Sequence, residues 1–112
     1  MEELKLVIPF IIVLFIHFIA DFVFQTDWQA KNKSSSFKAL GMHSLTYTLP
    51  FFFIGWKFAL FNGVCHFVID GISSRINKYW WNKGNSHNFF IGVGFDQFLH
   101  TSLLLLSYAV LL

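Results

Sequence analysis

Histidine and aspartate recur in pairs four residues apart along this chain. Residues i and i+4 lie on one face of an α-helix, one turn apart, so each pair directs two side chains the same way. A mixture of imidazole and carboxylate suits Zn, Mn, Fe or Ni better than Ca or Cu(I). We therefore predict that these pairs and one further histidine form a metal site. The candidate ligands are His17, Asp21, His43, His66, Asp70, Asp96 and His100.

The expected cofactor is one or two divalent ions, with Zn favoured and Mn, Fe or Ni as alternatives. Two such ions with a bridging hydroxide would neutralise three carboxylates, whereas one ion would leave a single negative charge for Arg75 to offset. A metal of this kind activates bound water near neutral pH and polarises a carbonyl or phosphoryl oxygen. We predict that Asp70 is a ligand or the general base, and that Arg75 binds an anionic group of the substrate.

The composition indicates which elements hold these residues. Of 112 residues, 55% are hydrophobic, 12% are charged and 16 are phenylalanine. A soluble domain of this size has too little interior for so many apolar side chains. The net charge is only +2, and six of the eight basic residues lie in two polar segments, which gives nucleic-acid binding little support. The single cysteine, Cys65, excludes an internal disulfide and a CxxC metal site.

The apolar segments predict an all-α fold, an integral membrane four-helix bundle that forms one transmembrane domain over residues 1–112. The middle of the chain allows one long helix or two helices that turn near Gly55. Both basic segments belong in the cytoplasm by the positive-inside rule, which requires an even number of crossings between them and so favours two. The predicted helices cover about 4–24, 38–54, 57–74 and 89–112, with cytoplasmic loops at 25–37 and 75–88.

This topology predicts the depth of the candidate ligands. Both termini lie on the outer side, and all seven candidate ligands lie in the cytoplasmic half. Pro50 should kink the second helix, because proline lacks a backbone donor. The N-terminal segment is not expected to be a cleaved signal peptide, since its apolar run is long and begins after Glu2 and Glu3.

Three functions remain open. The first is a metal-dependent hydrolase that acts on a lipid-like or membrane-accessible substrate at the cytoplasmic face. The second is a proton- or ion-coupled transporter or channel subunit, but the spans are almost wholly apolar beyond Asn62 and His100. The third is a non-enzymatic membrane interaction module held together by interhelical hydrogen bonds. The expected partners are the bilayer and an amphiphilic substrate, and self-association to a homo-oligomer is left open.

Three strings join these residues to their neighbours: His17-x-x-Ala20-Asp21-Phe22-x-x-Gln25-x-Asp27, His66-x-x-x-Asp70-x-x-Ser73-Ser74-Arg75 and Asp96-Gln97-x-Leu99-His100. On these strings the chain resembles a family of small bacterial and phage membrane proteins of unknown function. It is similar, more distantly, to inner-membrane proteins described as membrane-bound metal-dependent hydrolases, which carry paired His and Asp on membrane helices. The resemblance implies a multi-pass location in the bacterial inner (cytoplasmic) membrane, in a bacterial or a phage-encoded protein.

Overall fold

The computed structural model describes all 112 residues and contains five α-helices and no strands, which confirms the all-α prediction. Helix α4 packs along α5 and against α3, and α1 packs against α5. The helices are α1 (Glu2–Phe18, extended by a π-helical turn at Ile19–Val23), α2 (Asp27–Asn32), α3 (Phe37–Thr48, extended by a 3-10 segment at Leu49–Phe53), α4 (Trp56–Asn82) and α5 (Ser86–Leu111).

The short helix α2 lies in the segment 25–37, which was predicted to be a loop, and that part of the prediction is wrong. Thr26 precedes the helix, and its hydroxyl accepts a hydrogen bond from the backbone N–H of Gln29 at 3.2 Å. The Gln29 side chain accepts one in return from the backbone N–H of Thr26, also at 3.2 Å. This reciprocal pair is a capping box, which starts a helix whether or not its residues are apolar.

The predicted loop 75–88 is also mostly helical. Helix α4 continues eight residues past position 74 and ends where Gly84 adopts a φ of 72°, a conformation that glycine accepts at a helix C-terminus. Helix α5 begins at Ser86, because the side chain of Asn85 accepts from the backbone N–H of Asn88 at 3.0 Å. The prediction treated the basic segment 75–88 as a loop, whereas caps and a glycine determine where these helices end.

Two elements occupy the middle of the chain. Helix α3 changes to the 3-10 segment at Leu49, one residue before Pro50, whose missing N–H prevents a regular α-helical continuation. The chain then passes through Ile54 and Gly55 into α4, which runs back along α3. His43 and His66 thereby come close together although 23 positions separate them.

The distribution of polar residues is unusual. Twelve buried residues are polar or charged and nine are hydrophobic, while 37 large hydrophobic side chains are exposed. Two helical segments, Glu2–Val23 and Ser86–Leu111, are long and apolar enough to cross a membrane by length and composition. The small hydrophobic core consists of Val13, Ala20, Tyr47, Phe51, Phe58, Ala59 and Leu104.

The close packing of α3 on α4 depends on Gly63. A Cβ atom at this position would lie 3.0 Å from Cγ2 and 3.2 Å from Cβ of Thr48. The Thr48 hydroxyl donates to the backbone oxygen of Ser44 at 2.6 Å, so this side chain is held in place. We expect Gly63→Ala to lower the free energy of unfolding in detergent by about 1–3 kcal/mol, because the two helices would have to separate.

Gly94→Ala is the matched control, since a Cβ at that helical position meets no atom within 4 Å. It should leave stability unchanged or raise it by up to about 1 kcal/mol, because alanine is the better helix former. Equal melting temperatures for the Gly63 and Gly94 variants would contradict the role given to Gly63.

Candidate metal centre

All seven predicted ligands are buried, with exposures between 0% and 7%. They lie at the end of α1, in the middle of α3 and α4, and along α5. Two groups have the spacing of metal ligands, because one donor atom from each residue lies within 4.8 Å of the others. Asp21 belongs to both groups, which are Asp21 with His43 and His66, and Asp21 with Asp96 and His100.

Asp70 extends the first group to four donor atoms. Nε2 of His43 lies 3.0 Å from Oδ1 of Asp21 and 3.5 Å from Oδ2 of Asp70. Nε2 of His66 lies 3.7 Å from each of the same two oxygens. Ligands bound tetrahedrally to zinc at about 2.0–2.1 Å lie about 3.3 Å from one another. The four distances between imidazole nitrogens and carboxylate oxygens, 3.0–3.7 Å, are close to that spacing.

His66 lacks the hydrogen bonds that a buried imidazole requires. It is fully buried, and neither of its ring nitrogens has a hydrogen-bond partner. The ring of Tyr47 stacks on it with centroids 3.9 Å apart and planes 13° apart, which holds the imidazole in one plane. Burying a polar group without a partner is costly, so such groups are rare in folded proteins. A metal ion on Nε2 would be a partner for one of the two nitrogens.

Asp21 occupies the π-helical turn at the end of α1. The backbone N–H of Phe24 donates to the oxygen of Ile19 at 2.9 Å, a bond that spans five residues instead of four. Such single π-turns are frequent at functional sites, since the additional residue re-directs a side chain. The turn brings Asp21 within reach of both groups, whereas Nε2 of His17 stays 3.9 Å from Oδ2 of Asp21.

His17 does not join either group. Its Nδ1 pairs with the Tyr47 hydroxyl at 3.0 Å, and its Nε2 pairs with Oε1 of Gln97 at 2.8 Å. Because Oε1 can only accept, Nε2 is the donor, and Nδ1 accepts from the Tyr47 hydroxyl. Both ring nitrogens are therefore engaged. In this arrangement His17 orients Gln97.

Gln97 links the two groups, a role that the sequence left open. Its Nε2 amide donates to Oδ2 of Asp21 and to Oδ2 of Asp96, each at 3.1 Å. The chain from Tyr47 through His17 to Gln97 therefore holds two carboxylates in fixed orientations. Hydrogen bonds of this kind around ligands tune the affinity of metal sites.

The second group has three donors. Nε2 of His100 lies 3.2 Å from Oδ1 of Asp96 but makes no aligned hydrogen bond. The hydroxyl of Ser73 donates a short hydrogen bond to the same Asp96 oxygen. Asp96 is thus oriented from α4 and α5 together, and the His100 nitrogen is left with the carboxylate as its nearest polar neighbour.

Lys33 neutralises one carboxylate, and sequence reasoning missed it. Its ammonium lies 3.1 Å from each oxygen of Asp70, and the side chains of the two residues are 19% and 5% exposed. Lys33 is the C-terminal cap of α2, so its approach to Asp70 depends on a helix that hydropathy did not predict. The capping box at Thr26 and Gln29 was the available signal. Three carboxylates and this lysine carry a net charge of −2.

Arg75 lies elsewhere. Its Nη1 donates to the backbone oxygen of Gly71 at 2.7 Å, and its guanidinium carbon lies 4.9 Å from the centroid of the Phe37 ring. It lines an apolar groove with residues of α3 and α4, and it does not line the cavity beside the carboxylates. The structure therefore places the predicted anion-binding arginine apart from the predicted ligands.

A cavity of about 670 Å³ opens beside the two groups. Asp21, Asp70 and Asp96 line it, while the three histidines of the groups lie behind them. A ligand in this cavity would therefore contact the carboxylate side of the cluster. Its other lining residues include Lys31, Lys33, Ser74 and Lys78 among the polar ones and Phe22, Trp81, Phe89 and Phe90 among the apolar ones.

Residues 9–112 match the family model described as Protein of unknown function (DUF3307). This match covers nearly the whole chain, including every residue of both candidate ligand groups. No curated protein and no solved structure matches the chain.

Proposed function

Because the chain belongs to the DUF3307 family, whose function is unknown, we propose its function from the geometry of the polar cluster. In this proposal the protein is an integral membrane protein that binds divalent metal and hydrolyses a lipid-like or membrane-accessible substrate at the cytoplasmic face. The observation that carries it is the convergence of donor atoms from Asp21, His43, His66 and Asp70, where the His66 imidazole makes no hydrogen bond.

The burial pattern supports insertion in a membrane. In the apolar windows of Glu2–Val23 and Ser86–Leu111, only 22% and 17% of the residues are buried within the fold. The core helix of a soluble protein would be mostly buried, and soluble monomers rarely expose apolar surface on this scale. Lipid is the solvent that stabilises an apolar exterior around a polar interior.

The positions of the basic residues support a cytoplasmic orientation for the cavity. Lys31 and Lys33 lie at the end of α2 and Lys38 lies in the first turn of α3. Arg75, Lys78 and Lys83 lie in the last turns of α4 or directly after them. By the positive-inside rule this end of the molecule faces the cytoplasm, in a bacterium across the inner membrane. The cavity opens among these residues, so the proposed substrate reaches it from the cytoplasm or from the inner leaflet.

The charge of the cluster supports a cation. Three carboxylates and Lys33 leave −2 in a region shielded from water, and uncompensated buried charge is expensive. One divalent ion would neutralise it, and a second would leave +2, which a bridging hydroxide and an anionic ligand would offset. The mixed nitrogen and oxygen donors suit zinc, with Mn, Fe or Ni as alternatives.

The two groups differ in the number of coordination positions that they would leave free on a bound metal ion. Four protein donors fill a tetrahedral site, as in structural zinc sites, whereas three donors leave a position for water or substrate, as in catalytic ones. We therefore assign the four-donor group to a structural ion, and the group of Asp21, Asp96 and His100 to the reaction. A metal there would polarise the bond to be cleaved and activate water.

The chain's own residues would position the reactants and move the proton. Gln97 holds Asp21 and Asp96 in place, and Asp96 lines the cavity where the substrate would lie. In hydrolysis the water oxygen bonds to the electrophilic atom, the bond to the leaving group breaks, and a water proton passes through a cavity carboxylate to the leaving oxygen. Asp70 also lines the cavity and is the second candidate base, a role that it would take in place of its role as a metal ligand.

The alternative of a proton or ion pathway has less support. Asn62 donates to the Ser107 hydroxyl at 2.9 Å on the outer side of the cluster. Around this pair, Phe51, Phe58 and Leu104 are fully buried and belong to the small hydrophobic core, so the interior there is apolar. A relay would need a continuous polar route to the other face.

Metal analysis of detergent-purified protein is the direct test. We expect one or two equivalents of zinc per chain, and a lower melting temperature after chelation, because a ligand that binds only the folded state stabilises it. His66→Gln should reduce the bound metal, whereas His87→Gln, which changes an exposed histidine outside the cluster, should retain it. Wild-type protein that holds no stoichiometric metal and is unaffected by chelation would refute the proposal.

A further inference from the structure

We infer that the cavity beside the carboxylates binds an amphiphile with a phosphate head group. This inference names the substrate class of the proposed hydrolase and therefore rests on that function. The cavity combines cationic, hydroxyl-bearing and aromatic side chains within about 670 Å³, a volume typical of small-molecule sites. Each of these three classes of side chain corresponds to one part of such a ligand.

The charges in the cavity indicate an anion. Three lysines and three aspartates line it, so the cavity is neutral as a whole, and one divalent ion on the carboxylates would leave an excess of two positive charges. Lys33 is paired with Asp70, whereas Lys31 and Lys78 form no ion pair. These two lysines carry the excess. A phosphomonoester, with a charge close to −2 at neutral pH, complements it.

An unpaired polar side chain lies on the same cavity wall. The hydroxyl oxygen of Ser74 is buried and has no hydrogen-bond partner. Buried polar atoms are normally paired, so each unpaired one calls for a partner that is not part of the chain. The Ser74 hydroxyl is able to donate to a phosphate oxygen, and Lys78 lies on the same helix.

The aromatic residues distinguish a lipid from free phosphate. Phe22, Trp81 and Phe90 line the cavity and are also exposed on the outer surface at 49%, 60% and 65%. The rim of the cavity is therefore continuous with the apolar exterior that we assign to the bilayer. An acyl chain is able to extend across this rim while its head group stays among the lysines. Inorganic phosphate has no apolar part that would contact these three side chains.

The test compares three ligands by titration calorimetry on the full chain in detergent, both zinc-loaded and after chelation. They are dioctanoyl phosphatidic acid, dioctanoyl phosphatidylcholine with the same chains but no net charge, and inorganic phosphate. We expect phosphatidic acid to bind roughly tenfold or more tightly than either of the others, since each basic residue near an anionic lipid contributes appreciably to binding. Equal affinity for phosphatidylcholine, or for inorganic phosphate, overturns the inference.

Two double variants locate the site. Lys31→Gln with Lys78→Gln should weaken phosphatidic acid binding roughly tenfold or more, because both cavity charges are lost. Lys38→Gln with Lys83→Gln removes the same charge from lysines that do not line the cavity and should change affinity less than about twofold. Equal losses in the two variants overturn the inference, since they would indicate attraction by net charge alone.

The metal content of the same samples separates this inference from the proposed function. Protein that holds zinc but does not prefer phosphatidic acid overturns the inference and leaves the metal proposal standing. Protein without zinc that prefers phosphatidic acid through Lys31 and Lys78 supports the phosphate site and refutes the metal-dependent hydrolase.

Discussion

Replacing Asp21 by asparagine should abolish stoichiometric metal binding. Asp21 is the only residue common to both ligand groups, and its Oδ1 lies 3.0 Å from Nε2 of His43. Asparagine has nearly the same shape and still accepts the hydrogen bond from Gln97, so the fold should persist while the anionic donor is lost. Because loss of supporting hydrogen bonds alone costs 10–100-fold in metal affinity, we expect the affinity for zinc to fall by at least about 100-fold.

The chain offers a matched control for this substitution. Asp27 lies six residues further on, is exposed at the start of α2 and belongs to neither group, so Asp27→Asn should keep wild-type metal content. His100→Gln removes a donor from the second group only and should lower the stoichiometry of a two-metal protein from two ions to one. Full metal occupancy in Asp21→Asn, measured on the folded protein, would contradict the assignment of both groups.

Replacing Lys33 by methionine should cause the second large effect, a loss of stability. Its ammonium is the only lysine or arginine group in contact with Asp70, and the Asp70 side chain is 5% exposed. Methionine keeps the length of the side chain and removes the charge, which leaves a buried carboxylate without its partner. Breaking a buried ion pair in this way typically costs about 3–5 kcal/mol, so we expect a loss of that size in the unfolding free energy of the metal-free protein.

Metal and a second substitution should both reduce this loss. An ion bound at Asp70 would supply the missing positive charge, so zinc should restore part of the stability of Lys33→Met. The double variant Lys33→Met with Asp70→Asn removes both charges and should be more stable than Lys33→Met alone, since no unpaired charge remains. Lys31→Met is the control, because Lys31 is exposed on the same helix and forms no ion pair; it should change stability by less than about 0.5 kcal/mol. A Lys33→Met protein as stable as this control would refute the ion pair.

Several features of the site were readable from residue order. The i, i+4 spacing of His66 and Asp70, and of Asp96 and His100, holds in regular stretches of α4 and α5, and each pair lies on one helix face. Local spacing is sufficient there because both residues belong to one rigid helix. The all-α class could also be predicted from local sequence, because long apolar segments that lack the alternating pattern of β-strands form helices.

Other features depended on contacts between residues far apart in the chain. His17 and Asp21 have the same spacing as the other pairs, but the π-turn that begins at Ile19 directs them to different partners. His17 then contacts Gln97, which lies 80 positions away. No local pattern reports such a contact, because it depends on how α1 packs against α5.

By itself, therefore, the sequence determined the helical class, the polar residues that are buried among the helices, and the pairs that share a helix face. Only the tertiary structure decided which of them converge: Asp21 in both groups, His17 in a supporting position, Arg75 outside the cavity and Lys33 on Asp70. The physical reason is that the spacing of residues indicates which side chains share a face of one helix, but not which helix faces contact one another. The approach of a donor to an ion, or of Lys33 to a carboxylate, depends on helix caps, a single π-turn and the packing of glycines between helices.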